Sequence, residues 1–141
     1  MKEGLSRFRQ PHQADYSRAL SEIRNGRKAG HWIWYIFPQL KGLGVSSMSD
    51  YYGIRDLEEA KAYLADPVLG RDLLEICGAL LSLDRDNPTE VMGWPDDLKL
   101  RSSMTLFDAA AEDTDVFQKV LDKYFQGRKD GRTLKMLGLE E

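Results

Sequence analysis

Apolar residues recur at helical spacing along most of the chain, and polar breaks separate the repeats. Tyr16, Ala19, Leu20 and Ile23 stand at i, i+3, i+4 and i+7, one face of an amphipathic helix. Asn25-Gly26 supplies its stop. Pro11 predicts a break before it, which leaves Leu5-Ser6-Arg7-Phe8 as a separate short turn or helix. Ser46 or Ser47 caps a short helix through Tyr51-Tyr52, and Asp56-Leu57-Glu58-Glu59 opens one that stops near Ala65. Asp66-Pro67 and Asn87-Pro88 each pair a cap with proline at the first helical position. The helix after Asp66 presents Leu69, Leu73, Ile76, Leu80 and Leu81, and the one after Asn87 runs to Met92 with Gly93 as its stop. Asp96-Asp97 opens a longer helix through Ala111. Thr114-Asp115 opens another with Phe117, Val120, Leu121, Tyr124 and Phe125, stopped by Gly127, and a last one covers Thr133 to Leu137.

One stretch has no polar face. In His31-Trp32-Ile33-Trp34-Tyr35-Ile36-Phe37-Pro38-Gln39, periodicity fits a buried helix or a buried strand equally. No other segment offers a strand for it to pair with, so the run reads as a short buried helix ending before Pro38. Lys41 to Val45 is a loop. The elements together predict an all-α fold, one domain over residues 1–141 holding a multihelical array of about eight helices.

Composition narrows the class without naming a function. At 141 residues, 42% hydrophobic and 30% charged, the chain can bury a core without disulfides or metals. Its net charge of −3 argues against general nucleic-acid binding. The local basic clusters, Arg24, Arg27 and Lys28, then Lys123, Arg128, Lys129, Arg132 and Lys135, read as solvated helix ends. Cys77 lies in an apolar segment and reads as a buried, inert thiol. No signal-peptide pattern and no apolar stretch of membrane-spanning length are present, so a cytoplasmic location and no membrane association are expected.

No phosphate-loop, dinucleotide-fold, zinc-protease, Cys-x-x-Cys or nucleophile-elbow motif occurs. No cofactor is implied, and two histidines with one cysteine leave little material for a metal site. The candidate chemistry lies where polar residues interrupt apolar segments. His31 is a candidate general base or phosphate ligand, set against a structural role as a cap. Trp34 could stack on a ring, set against a core role, and a buried Trp N–H would find Gln39 or a hydroxyl. From Asp96 to Phe107, Leu100, Met104, Phe107 and Ala111 form the core stripe, while Ser102, Ser103 and Thr105 place three hydroxyls within four residues. Such residues suit back-bonding, close helix packing or a ligand. Asp97 and Arg101 are spaced to pair at i, i+4. Gly42-Leu43-Gly44-Val45-Ser46-Ser47 resembles a weak anion nest, with a tight turn as the simpler reading.

These segments resemble a bacterial family, the domain of unknown function numbered 1810. The resemblance rests on Glu22-Ile23-Arg24-Asn25-Gly26-Arg27-Lys28, the aromatic run His31 to Gln39, Gly42-Leu43-Gly44, Glu59-Ala60-Lys61-Ala62-Tyr63-Leu64 and Pro67-Val68-Leu69-Gly70. It continues through Asp97-Leu98-Lys99-Leu100-Arg101-Ser102-Ser103-Met104-Thr105-Leu106-Phe107, Tyr124-Phe125-Gln126-Gly127 and Thr133-Leu134. Asp66 departs from the pattern, which often has histidine before the proline. The resemblance implies an all-helical fold and no established activity. Members often carry the label calpastatin, yet such inhibitors are long, disordered and proline-rich, and this chain has five prolines.

The leading expectation is a pocket for a small anionic ligand, nucleotide-like or ADP-ribose-like, with hydrolysis as an open extension. Trp34, Gln39, Ser46, Ser47, Lys99, Arg101, Ser102 and Thr105 would line it, and His31 or Asp97 would handle protons. The alternative is a protein–protein interaction module without catalysis, displaying an apolar patch from Trp94, Tyr51 and Tyr52.

Overall fold

The computed structural model describes residues 2–139, and among these the chain forms nine helices and no strand. They are α1 (Lys2–Arg24), α2 (Ile33–Ile36), α3 (Ser47–Tyr51), α4 (Leu57–Ala65), α5 (Leu69–Ser82), α6 (Pro88–Met92), α7 (Asp96–Ala110), α8 (Val116–Phe125) and α9 (Gly131–Leu137). The caps follow the sequence. Ser46 accepts from the Ser49 backbone N–H, Asp56 from Glu59, and Asn87 from Thr89 and Glu90. Asp66 accepts from the N–H groups of Val68 and Leu69 and closes the turn into α5, but that helix starts at Leu69 with Val68 as its N-cap, so Pro67 lies in the turn and is not the first helical position expected. Gln126 and Gly138 end α8 and α9 in the left-handed conformation.

The helix α1 corrects one expectation. It runs through Pro11 without a break. Proline removes one helical hydrogen bond and crowds the preceding turn, a cost of about 3 kcal/mol. Against this, Leu5, Phe8, His12, Ala19 and Ile23 form one buried stripe along the whole helix. Burying a single large apolar side chain is worth about 1.5–3 kcal/mol, so the stripe outweighs the proline.

The helix α7 lies at the centre, packed against α2, α4, α6, α8 and α9. Its core stripe, Leu100, Met104 and Phe107, is fully buried, and Phe107 sits 5.3 Å from the Tyr63 ring and 5.9 Å from Phe117. The helices α1, α4, α5 and α8 complete the core around it. Cys77 is buried as expected, and burial pushes its thiol pKa up. The aromatic run forms the short α2, and the backbone after it makes a single bridge: Ile54 N–H donates to the Gln39 carbonyl at 2.9 Å and Lys41 N–H to that of Ile54 at 2.8 Å. This bridge fixes the backbone at Gln39.

Two basic residues expected in solvent are instead structural. The Lys28 ammonium is buried, bonded to Asp96 at 2.7 Å and lying 4.9 Å from the Trp32 ring centroid. Lys123 reaches across to the end of α5, where its ammonium donates to the carbonyls of Leu80 at 3.2 Å, Leu81 at 2.9 Å and Leu83. The last turn of α5 has no cation of its own, so Lys123 supplies the charge and the donors its free carbonyls need. Replacing Lys123 with methionine is expected to lower stability by about 2 kcal/mol, since three carbonyls lose a charged donor. Urea denaturation checks it; a loss below about 0.5 kcal/mol would show the cap to be dispensable.

Candidate functional site

The polar residues of the aromatic and serine-rich segments meet in part. Gln39, Lys99, Arg101 and Ser102 line one cleft of about 420 Å³, together with Leu43, Gly44, Pro95 and Leu98. The start of α9 adds Asp130 and Arg132, which the sequence reading did not include. Their signal lay in the sequence: Asp130 is a cap residue followed by a Gly-Arg-Thr start, and its carboxylate accepts from Thr133 N–H at 3.0 Å and from the Thr133 hydroxyl.

Electrostatically the cleft is cationic. Lys99 lies 3.5 Å from Asp96, and its ammonium is 5.2 Å from the Trp34 ring centroid. Arg101 donates to the carbonyls of Arg128 and Lys129, each at 2.8 Å, tying the α8–α9 connection to α7. Arg132 makes one long bond, 3.4 Å, to the Leu43 carbonyl. The carboxylate of Asp130 is already occupied by the α9 cap. Guanidinium groups carry five donors each, so Arg101 and Arg132 keep donors for an incoming anion.

Other expected residues go elsewhere. Trp34 is half-buried with Lys99 against its ring, so it positions that ammonium rather than offering a free stacking surface. Its indole N–H is buried and has no partner among the described residues. The indole N–H of Trp32 donates to Glu22 at 2.8 Å, not to Gln39 or a hydroxyl. Burial would raise the Glu22 carboxyl pKa, but bonds from Gly30, Ala29 and Trp32 outweigh it and hold it below the usual range. Ser46 is occupied in the α3 capping box, Ser47 is exposed, and neither lines the cleft. The Ser102 hydroxyl donates back to Leu98 at 3.2 Å. Thr105 donates back to Arg101 at 2.9 Å and accepts from Asp130 N–H at 2.9 Å. Ser103 is buried, and its hydroxyl has no partner among the described residues. The serine-rich run thus serves back-bonding and close packing first, with Ser102 alone of the three at the cleft wall.

The structure does not bring His31 and Asp97 together. His31 is exposed and no cap for α2, while Asp97 is buried and accepts from the Thr89 hydroxyl at 2.6 Å, facing α6. For the same reason Asp97 does not pair with Arg101, whose guanidinium turns to the α8–α9 connection. The exposed aromatic side chains are Trp94, at 75%, and Tyr51. Tyr52 is half-buried against Phe8, Tyr35 and Tyr51.

A second cleft, about 450 Å³, lies between α1 and α5, and the sequence reading did not find it. Its floor is a buried pair in which His12 Nε2 lies 2.9 Å from Asp72 Oδ2. The partners are 60 positions apart. The local sequence shows only that His12 and Tyr16 lie one turn apart on the same face of α1. Among the described residues no cluster of three or more His, Cys, Asp or Glu could hold a metal, and no helix is long and apolar enough to cross a membrane.

Comparison with known proteins gives a family and no activity. No curated protein matches the chain. The crystal structure of the conserved hypothetical protein Rv1873 from Mycobacterium tuberculosis is similar, with 45% identity and a TM-score of 0.93 over 95% of this chain and 96% of that one. Residues 2–137 match the family described as "Protein of unknown function (DUF1810)", and the chain therefore belongs to that family.

Proposed function

We propose that the cleft between the Gln39–Gly44 loop, α7 and α9 binds a small anionic ligand of nucleotide-like type. The observation that supports this best is the convergence of Lys99, Arg101 and Arg132 on one cleft whose single carboxylate, Asp130, is already bonded. Charge-assisted bonds from such a set suit phosphate oxygens. Gln39 adds an amide to the lining. The reading is of binding: neither His31 nor Asp97 lines this cleft, and no proton-transfer step is assigned to them.

Thermal stability against a panel of nucleotides, ADP-ribose and pyrophosphate tests it. A ligand at 100 times its Kd adds about 2.7 kcal/mol, which raises Tm by roughly 5–10 °C at this chain length. Arg132→Glu is expected to abolish the shift while leaving the unliganded Tm near wild type, because Arg132 is exposed. Arg101 is a poorer choice, since its loss also frees the α8–α9 connection. A flat panel would overturn the reading. It would favour the interaction module, for which the exposed Val45, Met48 and Tyr51, spaced along α3 and the loop before it, are the supporting observation.

A further inference from the structure

We propose that the groove between α1 and α5 is a second, separate anion site, selective for an oxyanion that keeps an acidic hydroxyl, such as hydrogen phosphate, whose hydrogen His12 Nδ1 accepts. A carboxylate can only accept, so Asp72 Oδ2 fixes the hydrogen of His12 on Nε2. The other ring nitrogen, Nδ1, is buried and has no partner among the described residues, although His12 lines the cleft. In the neutral ring Nδ1 then carries the lone pair, and an incoming O–H would satisfy it.

The surroundings keep this tautomer in place. The Tyr16 ring stacks on His12 at 5.1 Å, 9° from parallel, and its hydroxyl donates to the Asp72 carbonyl at 2.9 Å and the Glu75 carboxylate at 2.7 Å. Burial and the Glu75 bond push the Tyr16 pKa up, so the phenol stays protonated. Arg71 Nε lies 3.2 Å from Asp72 Oδ1, which offsets the aspartate charge beneath the groove. Arg9, on the opposite wall, is 2.7 Å from Asp66. Each guanidinium keeps further N–H donors for anionic oxygens. The groove has donors at its rim and the His12–Asp72 pair at its floor, and with Nδ1 as the acceptor there it would separate hydrogen phosphate from sulfate.

The test is a titration of the His31→Gln protein, in which His12 is the one remaining histidine, followed by long-range proton–nitrogen NMR at pH 8. Inorganic phosphate is expected to move the Nδ1 resonance and to leave Nε2 in place. Sulfate, of similar shape but without a hydroxyl, is expected to bind at least about tenfold more weakly, because a buried acceptor is left facing oxygen. A phosphate monoester, dianionic at this pH, is expected to resemble sulfate. Arg71→Ala is expected to lower phosphate affinity about tenfold without changing the Arg132-dependent nucleotide response. Equal binding of phosphate and sulfate would overturn the acceptor role, and His12 signals unmoved by either anion would overturn the site.

Discussion

Replacing Arg7 with methionine is expected to remove about 3–5 kcal/mol of stability, because it strands a buried carboxylate. The Glu59 side chain is completely buried. Arg7 donates to its two oxygens at 2.9 and 3.2 Å, and also to the carbonyls of Tyr51 at 2.9 Å and Gly53 at 2.7 Å. One guanidinium therefore joins α1 to α3, α4 and the turn between them. Among the described residues, the Glu59 carboxylate in the variant keeps Arg55, through its backbone N–H at 2.9 Å and its side chain at 3.4 Å. At this chain length the loss corresponds to a Tm fall of roughly 10–15 °C.

The same pair sets the acid response. Burial would raise the Glu59 pKa, but bonds from Arg7 and the Arg55 N–H, with both arginine charges, outweigh it and hold it below 4.5. Asp66 is lowered in the same way, burial being outweighed by Arg9 and the N–H groups of Leu69 and Val68. A carboxyl lowered in the folded state stabilises fully above its unfolded pKa, and that contribution is lost as pH falls through the folded value. Stability should therefore fall as pH drops below about 4.5, and less steeply in Arg7→Met. Urea midpoints between pH 7 and 3 decide it; an Arg7→Met protein within about 1 kcal/mol of wild type, with unchanged acid slope, would remove this pair from the stability account.

Gly70→Ala is the second large effect. A Cβ at Gly70 would lie 2.1 Å from the Leu64 carbonyl oxygen and 2.7 Å from its carbon. Both belong to the backbone of α4, which cannot rotate aside, so α4 and α5 must move apart. The expected cost is about 3 kcal/mol or more, at the upper end for overpacking. Gly78 lies in the same helix, and a Cβ there meets nothing within 4 Å. Gly78→Ala should stabilise by about 0.5–1 kcal/mol through helix propensity alone. Opposite signs in calorimetry would establish the close crossing; two similar shifts would contradict it.

Gly70 also shows where sequence reading stops. Pro67-Val68-Leu69-Gly70 marks a helix start, but nothing local says that the backbone of α4 passes against it. Lys28 and Lys123 look like ordinary surface cations until distant carbonyls and carboxylates are placed beside them. Pro11 is a correct local signal overruled by a buried stripe that spans it. His12 and Asp72 carry no local motif, because their pairing depends on which faces of α1 and α5 meet.

The sequence by itself determined the helical class, most element boundaries, the caps at Asp56 and Asn87, the burial of Cys77 and the core stripe Leu100, Met104 and Phe107 of α7. These follow from interactions within a few residues, where hydrogen-bond geometry and helical periodicity act directly on neighbouring side chains. Only the tertiary structure decided that Gln39, Lys99, Arg101 and Arg132 share a cleft, that Trp34 supports Lys99, and that His12 meets Asp72. Such juxtapositions depend on helix docking, which is set by the fit of whole faces and leaves no fixed spacing along the chain.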